Sequence, residues 1–227
     1  MKTMYFVIPC YNEEENIPDT AESINNIIEN LKTEKLINGG KIIFVDDAST
    51  DSTYEISQKY GEVIKLKENL GQQKAILKGL SYIYRKCDFA ITLDCDLQDD
   101  ICCIYEMVKK YNRGFKVVYG VRKRRKTDSF KKRFFANSFY FIMKALDKTT
   151  IKNHGDFRLM DRDVIEKAVK NAGKFPYLRG LIPRLGFAGD FVYYDRKTRK
   201  KGSSKYSLKK MLKLAFCGIY TAFIKIH

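Results

Sequence analysis

The segment Asp94-Cys95-Asp96-Leu97-Gln98-Asp99-Asp100 gathers hard oxygen donors directly behind an apolar run, Phe89-Ala90-Ile91-Thr92-Leu93. That run has the length and composition of a buried strand. Side chains two apart on a strand share a face, so Asp94, Asp96 and Gln98 are expected to point together for as long as strand geometry lasts. Carboxylate and amide oxygens suit Mg²⁺ or Mn²⁺, which take few protein ligands and leave other positions to water and phosphate oxygens. Taken alone, the same residues also read as a solvated acidic turn capping a helix that begins near Asp100. The rest of the chain bears on the choice: 43 basic against 27 acidic residues give a formal charge of +16. An acidic metal site in so basic a protein points to a phosphorylated ligand.

The elements that must position these groups alternate along the chain. Met4–Pro9 reads as a strand, followed by a helix whose apolar residues Ile17, Ala21, Ile24, Ile28 and Leu31 recur at helical spacing. Ile42–Val45 is a second strand, stopped by Asp46-Asp47-Ala48-Ser49-Thr50-Asp51, with Asp51 or Ser52 placed to cap the next helix. Strands at Val63–Leu66, Phe89–Leu93 and Val117–Tyr119 then alternate with helices at Gly71–Arg85 and Ile101–Tyr111. This pattern predicts an α/β fold with a mainly parallel sheet covered by helices on both faces. In such sheets ligands bind beyond the carboxyl ends of the strands. Here those ends carry Pro9-Cys10-Tyr11-Asn12-Glu13, Asp46-Asp47, Asp94-Cys95-Asp96 and Gly120-Val121-Arg122.

At 227 residues the chain suffices for one large α/β domain, or one domain with an appendage. Its six cysteines form no C-x-x-C pair, and the N-terminal apolar run is only strand-length, which together read as a reducing, cytosolic setting. No apolar stretch approaches the ~20 residues that span a bilayer. Basic residues crowd Arg122–Arg133, ahead of an amphipathic segment at Phe130–Leu146 that is a candidate subunit contact. They crowd again in Arg196–Tyr206, which holds no acid, before the apolar and aromatic stretch Leu212–Ile226. That order fits a helix lying in a membrane interface over anionic headgroups; a last core helix with an exposed basic face is the alternative. We accordingly divide the chain into a catalytic domain, 1–195, and a basic loop with an amphipathic helix, 196–227.

Four ordered motifs, Val7-Ile8-Pro9-Cys10-Tyr11-Asn12-Glu13, Val45-Asp46-Asp47-Ala48-Ser49-Thr50-Asp51, Asn69-Leu70-Gly71-Gln72-Gln73-Lys74-Ala75 and Leu93-Asp94-Cys95-Asp96-Leu97-Gln98, resemble those of family 2 glycosyltransferases. Gly155-Asp156-Phe157-Arg158-Leu159-Met160 and Gly202-Ser203-Ser204-Lys205-Tyr206-Ser207 resemble the polyprenyl-phosphate branch, which includes dolichyl-phosphate mannose synthases and bactoprenol glucosyltransferases. The resemblance implies a GT-A fold and inverting, metal-dependent transfer from a nucleotide-diphosphate sugar, with UDP-glucose or UDP-N-acetylglucosamine favoured over GDP-mannose. It implies that Asp96 and Gln98 bind Mg²⁺ or Mn²⁺ and that Asp94 holds the ribose or the metal shell. It assigns Asp47 to the base, Pro9, Tyr11 and Glu13 to the nucleoside pocket, and Lys74 to the donor. Bacterial members usually continue into two transmembrane helices. This sequence stops where the first would begin, so it is expected at the cytoplasmic face of the membrane as a peripheral protein, either a piece of a longer chain or a relative held by interfacial attachment.

A polyprenyl phosphate is already an anion and can attack without a general base. It needs cations, for which Arg122, Lys132, Arg199 and Lys205 are the candidates, Arg being suited to bidentate phosphate contacts. Asp156 has two readings: the base toward a saccharide hydroxyl in a rival, soluble family 2 enzyme, or a residue orienting Arg158 or the acceptor loop. A nucleic-acid-binding protein would explain the charge and the interleaved aromatics. It would not explain carboxylates at successive strand ends, so no nucleic-acid partner is expected. A non-catalytic membrane scaffold is opposed by the intact Asp-x-Asp-x-Gln.

Overall fold

A computed structural model describes residues 2–123, 147–197 and 208–223. Seven strands form one sheet: β1 (Thr3–Cys10), β2 (Gly39–Asp46), β3 (Glu62–Lys65), β4 (Phe89–Thr92), β5 (Val117–Arg122), β6 (His154–Asp161) and β7 (Gly189–Tyr194). Their order is β3-β2-β1-β4-β6-β5-β7. β6 runs antiparallel to β4 and β5, and the remaining pairs are parallel. Around the sheet lie α1 (Ile17–Thr33), α2 (Thr53–Ser57), α3 (Gln72–Ile83), α4 (Cys103–Asn112), α5 (Arg162–Asn171), α6 (Leu178–Arg184) and α7 (Leu208–Phe223).

β1 shows why the strands are apolar throughout. Met4, Phe6 and Ile8 join Ile17, Ile24 and Leu31 of α1 and Met107 of α4 on one face. Tyr5 and Val7 join Ala75, Ile76 and Leu80 of α3 on the other. Alternation in the strand serves two separate cores, each met by a helix at its own period. Helix α3 comes closest to the sheet at Gly79, where a Cβ would lie 2.4 Å from Val7 Cγ1 and 2.9 Å from Val45 Cγ2. Gly79→Ala would gain about 1 kcal/mol of helix propensity but forces strand and helix apart at a cost of ~1–3 kcal/mol. We expect a net lower midpoint of thermal unfolding; a raised midpoint would contradict this packing.

The site edge of the sheet collects the carboxyl ends of β1, β2, β4, β5 and β7, together with the start of the antiparallel β6. Strand β6 was not among the expected strands. All eight of its residues are buried, Asp156, Arg158 and Asp161 included, so its sequence lacks the apolar signature. Helix α7 packs on α6, where Arg184 donates to the Thr221 carbonyl. Its residues Phe216, Ile219, Tyr220 and Phe223 are exposed, and Phe175 stacks edge-on to Phe216 and Tyr220. Among the described residues no helix is long and apolar enough to cross a membrane. The amphipathic segment expected at Phe130–Leu146 lies outside the described residues.

Candidate active site

Two loops leave the sheet side by side after β1 and β2 and are zipped together. The Asn12 backbone donates to Ser49 Oγ at 2.9 Å, and Thr50 N–H donates to Asn12 Oδ1 at 2.8 Å. Glu13 N–H donates to Thr53 Oγ1 at 2.8 Å, while the Glu13 carboxylate takes Asn16 Nδ2 at 2.6 Å. Asn12 and Ala48 hold left-handed φ values of 52° and 58°, a conformation that costs a side-chain-bearing residue energy and marks a constrained turn. Asp51 Oδ1 accepts from Thr53 N–H at 3.0 Å and so initiates α2.

Asp47 is buried and accepts two backbone bonds, from Leu70 N–H at 2.7 Å and Gly71 N–H at 2.8 Å. It thereby anchors the turn that opens α3. Gly71 sits at φ +86°, where a side chain would be strained, and that turn delivers both N–H groups to one carboxylate. The next two residues reach further along the sheet edge. Gln72 Nε2 donates to Asp94 Oδ1 at 2.5 Å, and Gln73 Nε2 donates to Asp156 Oδ2 at 2.9 Å.

β4 ends at Thr92, before the acidic motif, so strand alternation does not align Asp94, Asp96 and Gln98 as expected. They stand on a loop with a left-handed turn at Leu97 (φ 49°), in which Gln98 N–H donates to Asp96 Oδ1 at 3.1 Å. The helix expected from Ile101 begins at Cys103. Burial first, then the Asp99 and Asp96 carboxylates, push the Asp94 pKa up to about 7. A divalent cation would relieve that crowding, and an all-oxygen donor set of Asp94, Asp96 and Gln98 fits Mg²⁺ or Mn²⁺. Among the described residues no three His, Cys, Asp or Glu side chains are grouped to hold an ion by themselves. Further ligands would be water and substrate oxygens.

Asp99, which the sequence reading left without a role, is buried behind the motif. Its Oδ1 accepts from Arg122 Nη2 at 3.1 Å and from the Tyr194 hydroxyl at 2.6 Å. Arg122, at the end of β5, also lies against Gly155, where a Cβ would come within 3.0 Å of Nη2. The chain after β7 folds onto the same loop. Lys197 N–H donates to the Gln98 carbonyl at 2.8 Å, and Gln98 Nε2 donates to the Lys197 carbonyl at 3.3 Å.

Asp156 stands near the start of β6. The β4–β6 register stops at Thr92↔Arg158, where Thr92 Oγ1 also donates to the Asp156 carbonyl, and the loop carrying Asp94 begins just beyond it. Asp156 Oδ1 accepts from Arg158 Nη2 at 2.7 Å, and Oδ2 accepts from Arg179 Nη2 at 2.7 Å. Burial pushes its carboxyl upward, but Arg179 and Arg158 outweigh burial and hold it well below the usual carboxylate range. His154 places its ring nitrogens 2.7 Å from the Ile151 carbonyl and 3.0 Å from the Arg179 carbonyl. Burial, then the Arg158 charge, lowers its pKa to about 3, the setting of a structural ring.

The sheet edge thus brings together most of the residues singled out from the sequence. Pro9 lies in the last two residues of β1 and Tyr11 and Glu13 follow it, Asp47 follows β2, and Lys74 lies in the first turn of α3. Asp94, Asp96 and Gln98 follow β4, Arg122 ends β5, and Asp156 opens β6. Lys132, Arg199 and Lys205 lie outside the described residues. Gln72, Gln73 and Asp99, which lie in segments singled out from the sequence but were given no role there, belong to the same edge, as do Arg179 and Tyr194, which no spacing announced.

A mixed, mainly parallel seven-stranded sheet with an acidic loop at its centre defines a class, and comparison with known proteins gives the family. Residues 5–169 match Glycosyl transferase family 2, and the chain belongs to that family. It is 44% identical over 220 residues to the uncharacterized glycosyltransferase YkoT of Bacillus subtilis (strain 168), a match covering 94% of this chain and 65% of YkoT. It is 32% identical over 220 residues to the bactoprenol glucosyl transferase of Shigella phage SfX, over 94% of this chain and 70% of that protein. The chain therefore spans about two thirds of the length of these relatives. Among solved structures, glucosyl-3-phosphoglycerate synthase from Mycobacterium tuberculosis, in complex with Mn²⁺, UDP-glucose and phosphoglyceric acid, superposes with a TM-score of 0.62. Identity is 16%, over 99% of this chain and 81% of that one. The fold is the GT-A arrangement that the motifs implied.

Proposed function

We propose that this chain transfers a sugar, with inversion, from a nucleoside-diphosphate sugar to a polyprenyl phosphate, with UDP-glucose the favoured donor. The observation that carries the choice of acceptor is the state of Asp156. A saccharide hydroxyl must lose a proton as it attacks, and a carboxylate locked between two guanidinium groups is a poor base. A phosphate monoester needs no base; it needs positive charge beside the donor. The bactoprenol glucosyl transferase among the relatives favours the same acceptor class. In this account the 196–227 region serves the membrane. The exposed aromatic residues of α7, in a chain of charge +16, suit an anionic bilayer surface.

Each residue then has a task. Asp47, Pro9, Tyr11 and Glu13 shape the nucleoside pocket between the zipped loops, and Lys74 faces the donor. Asp96 and Gln98, with Asp94, would hold Mg²⁺ or Mn²⁺, which when bound neutralises charge on the leaving diphosphate. Asp99 and Tyr194 fix the Arg122 guanidinium toward the phosphates. Lys132, Arg199 and Lys205 complete the acceptor charge.

The test is a donor screen that follows nucleotide-diphosphate release with and without a short-chain polyprenyl phosphate. We expect one sugar nucleotide to give release that rises at least about tenfold with the lipid phosphate, as acceptor-dependent chemistry requires. Release stimulated only by free saccharides would overturn the proposal.

A further inference from the structure

Gln73, Asp156, Arg158 and Arg179 form one connected unit at the site edge. Asp156 contributes one negative charge, while Arg158 and Arg179, both within 2.7 Å of it, contribute two positive ones. Arg158, at 1% side-chain exposure, is the fully buried partner of Asp156. Arg179 is different: its side chain remains 18% exposed, and its Nε and Nη2 both face Asp156 Oδ2. Its backbone is held from three directions. His154 Nε2 meets the Arg179 carbonyl at 3.0 Å, and Arg158 Nη1 donates to the Leu178 carbonyl at 3.0 Å. Leu178 N–H donates to Gln73 Oε1 at 2.9 Å, while the same amide gives its N–H to Asp156. One amide thus has its donor on the carboxylate and its acceptor on the helix α6 N-terminus, so it can be satisfied in a single orientation.

We infer that Arg179 is an anion seat for the acceptor's phosphate, held in register by Asp156 and by Gln73 as a positioning residue. The inference rests on the lipid-phosphate reading above and assigns it a cation not foreseen from the sequence. Three placements support it. Thr92, the last residue of β4, pairs with Arg158 and donates its hydroxyl to the Asp156 carbonyl, which puts the seat at the strand end that leads into the Asp94 loop. Arg179 also acts electrostatically on Arg122, so two guanidinium groups share this edge. Gln72 binds Asp94 while the adjacent Gln73 binds Asp156, so one helix turn fixes the spacing between donor and acceptor sides. A phosphate arriving here would meet a preoriented, partly exposed guanidinium.

Arg179→Gln leaves Asp156 paired with Arg158, so the variant should fold with an unfolding midpoint near that of the wild type. We expect its KM for a short-chain polyprenyl phosphate to rise about 30-fold, with UDP affinity by calorimetry changed less than about twofold, since only an acceptor contact is lost. Gln73→Ala should move acceptor KM in the same direction by a smaller factor, and Arg179→Lys should recover part of the loss. Binding of the same lipid phosphate, followed by phosphorus NMR, separates the two claims. Wild-type turnover with an unchanged acceptor KM in Arg179→Gln overturns the seat and leaves the lipid-phosphate reading standing. Binding that depends on Arg179 without sugar transfer would uphold the seat and overturn that reading. A protein that neither binds nor uses the lipid phosphate would overturn both. Unfolding of Arg179→Gln at a much lower temperature would make Arg179 a structural partner and also overturn the seat.

Discussion

Asp96→Ala should abolish Mg²⁺- or Mn²⁺-dependent transfer while leaving the fold intact. Asp96 is half-buried on a loop after β4, outside the two apolar cores, so its removal opens no cavity in either. What it removes is an oxygen ligand where charge develops on the leaving diphosphate. Such stabilisation is worth ~3 kcal/mol or more of the barrier, a rate loss of about a hundredfold or greater. Titration of activity with Mn²⁺ checks this directly: the wild type should saturate and lose activity to a chelator. Activity that survives Asp96→Ala, or persists in wild type with chelator, would refute the metal assignment.

The second large effect concerns stability. Asp156→Ala leaves Arg158 and Arg179 facing each other in the interior without their shared counter-charge. Breaking a buried ion pair from one side costs ~3–5 kcal/mol. For a chain of this size that lowers the unfolding midpoint by about 10 °C. The pH dependence follows from the sign of the shift. The folded carboxyl is held below its unfolded pKa of about 4, so its stabilisation is complete above that pH and is lost as pH falls below it. Asp156→Asn should lack that component and show a flatter stability profile in acid. A midpoint within about 2 °C of wild type for Asp156→Ala would show that the pair contributes little.

The fold and the site were legible to different depths. Strands β1, β2 and β4 are doubly buried, so continuous apolar runs marked them, and the polar residues at their ends located the site edge. Helix α1 ran as its periodicity predicted, from Ile17 through Leu31 and on to Thr33. β6 was hidden because a buried strand that carries Asp156, Arg158 and Asp161 violates the rule used to find strands. Its charges are tolerated through the Asp156–Arg158 pair within the strand and through partners distant in sequence, such as Arg179 and Tyr111. Distance in sequence also concealed the roles of Gln73, Asp99 and Tyr194: the bonds of Gln73 to Asp156 and Leu178, and of Tyr194 to Asp99, each span more than 80 residues. The aligned carboxylates expected after β4 failed for a local reason: the strand ends at Thr92, one residue short of the expected Leu93, and the chain turns through a left-handed residue at Leu97. The chemistry proposed for Asp94, Asp96 and Gln98 needs their oxygens within reach of one ion, a requirement that does not depend on strand geometry.

The central claim is that the sugar passes to a lipid phosphate. Its most direct test is mass spectrometry of the organic-phase product after incubation with UDP-glucose, Mn²⁺ and a short-chain polyprenyl phosphate. We predict a new species equal to the acceptor plus one hexosyl unit, joined through a glycosyl phosphodiester and absent without enzyme. Unmodified lipid phosphate, with glucose recovered instead on an added saccharide, would contradict the account.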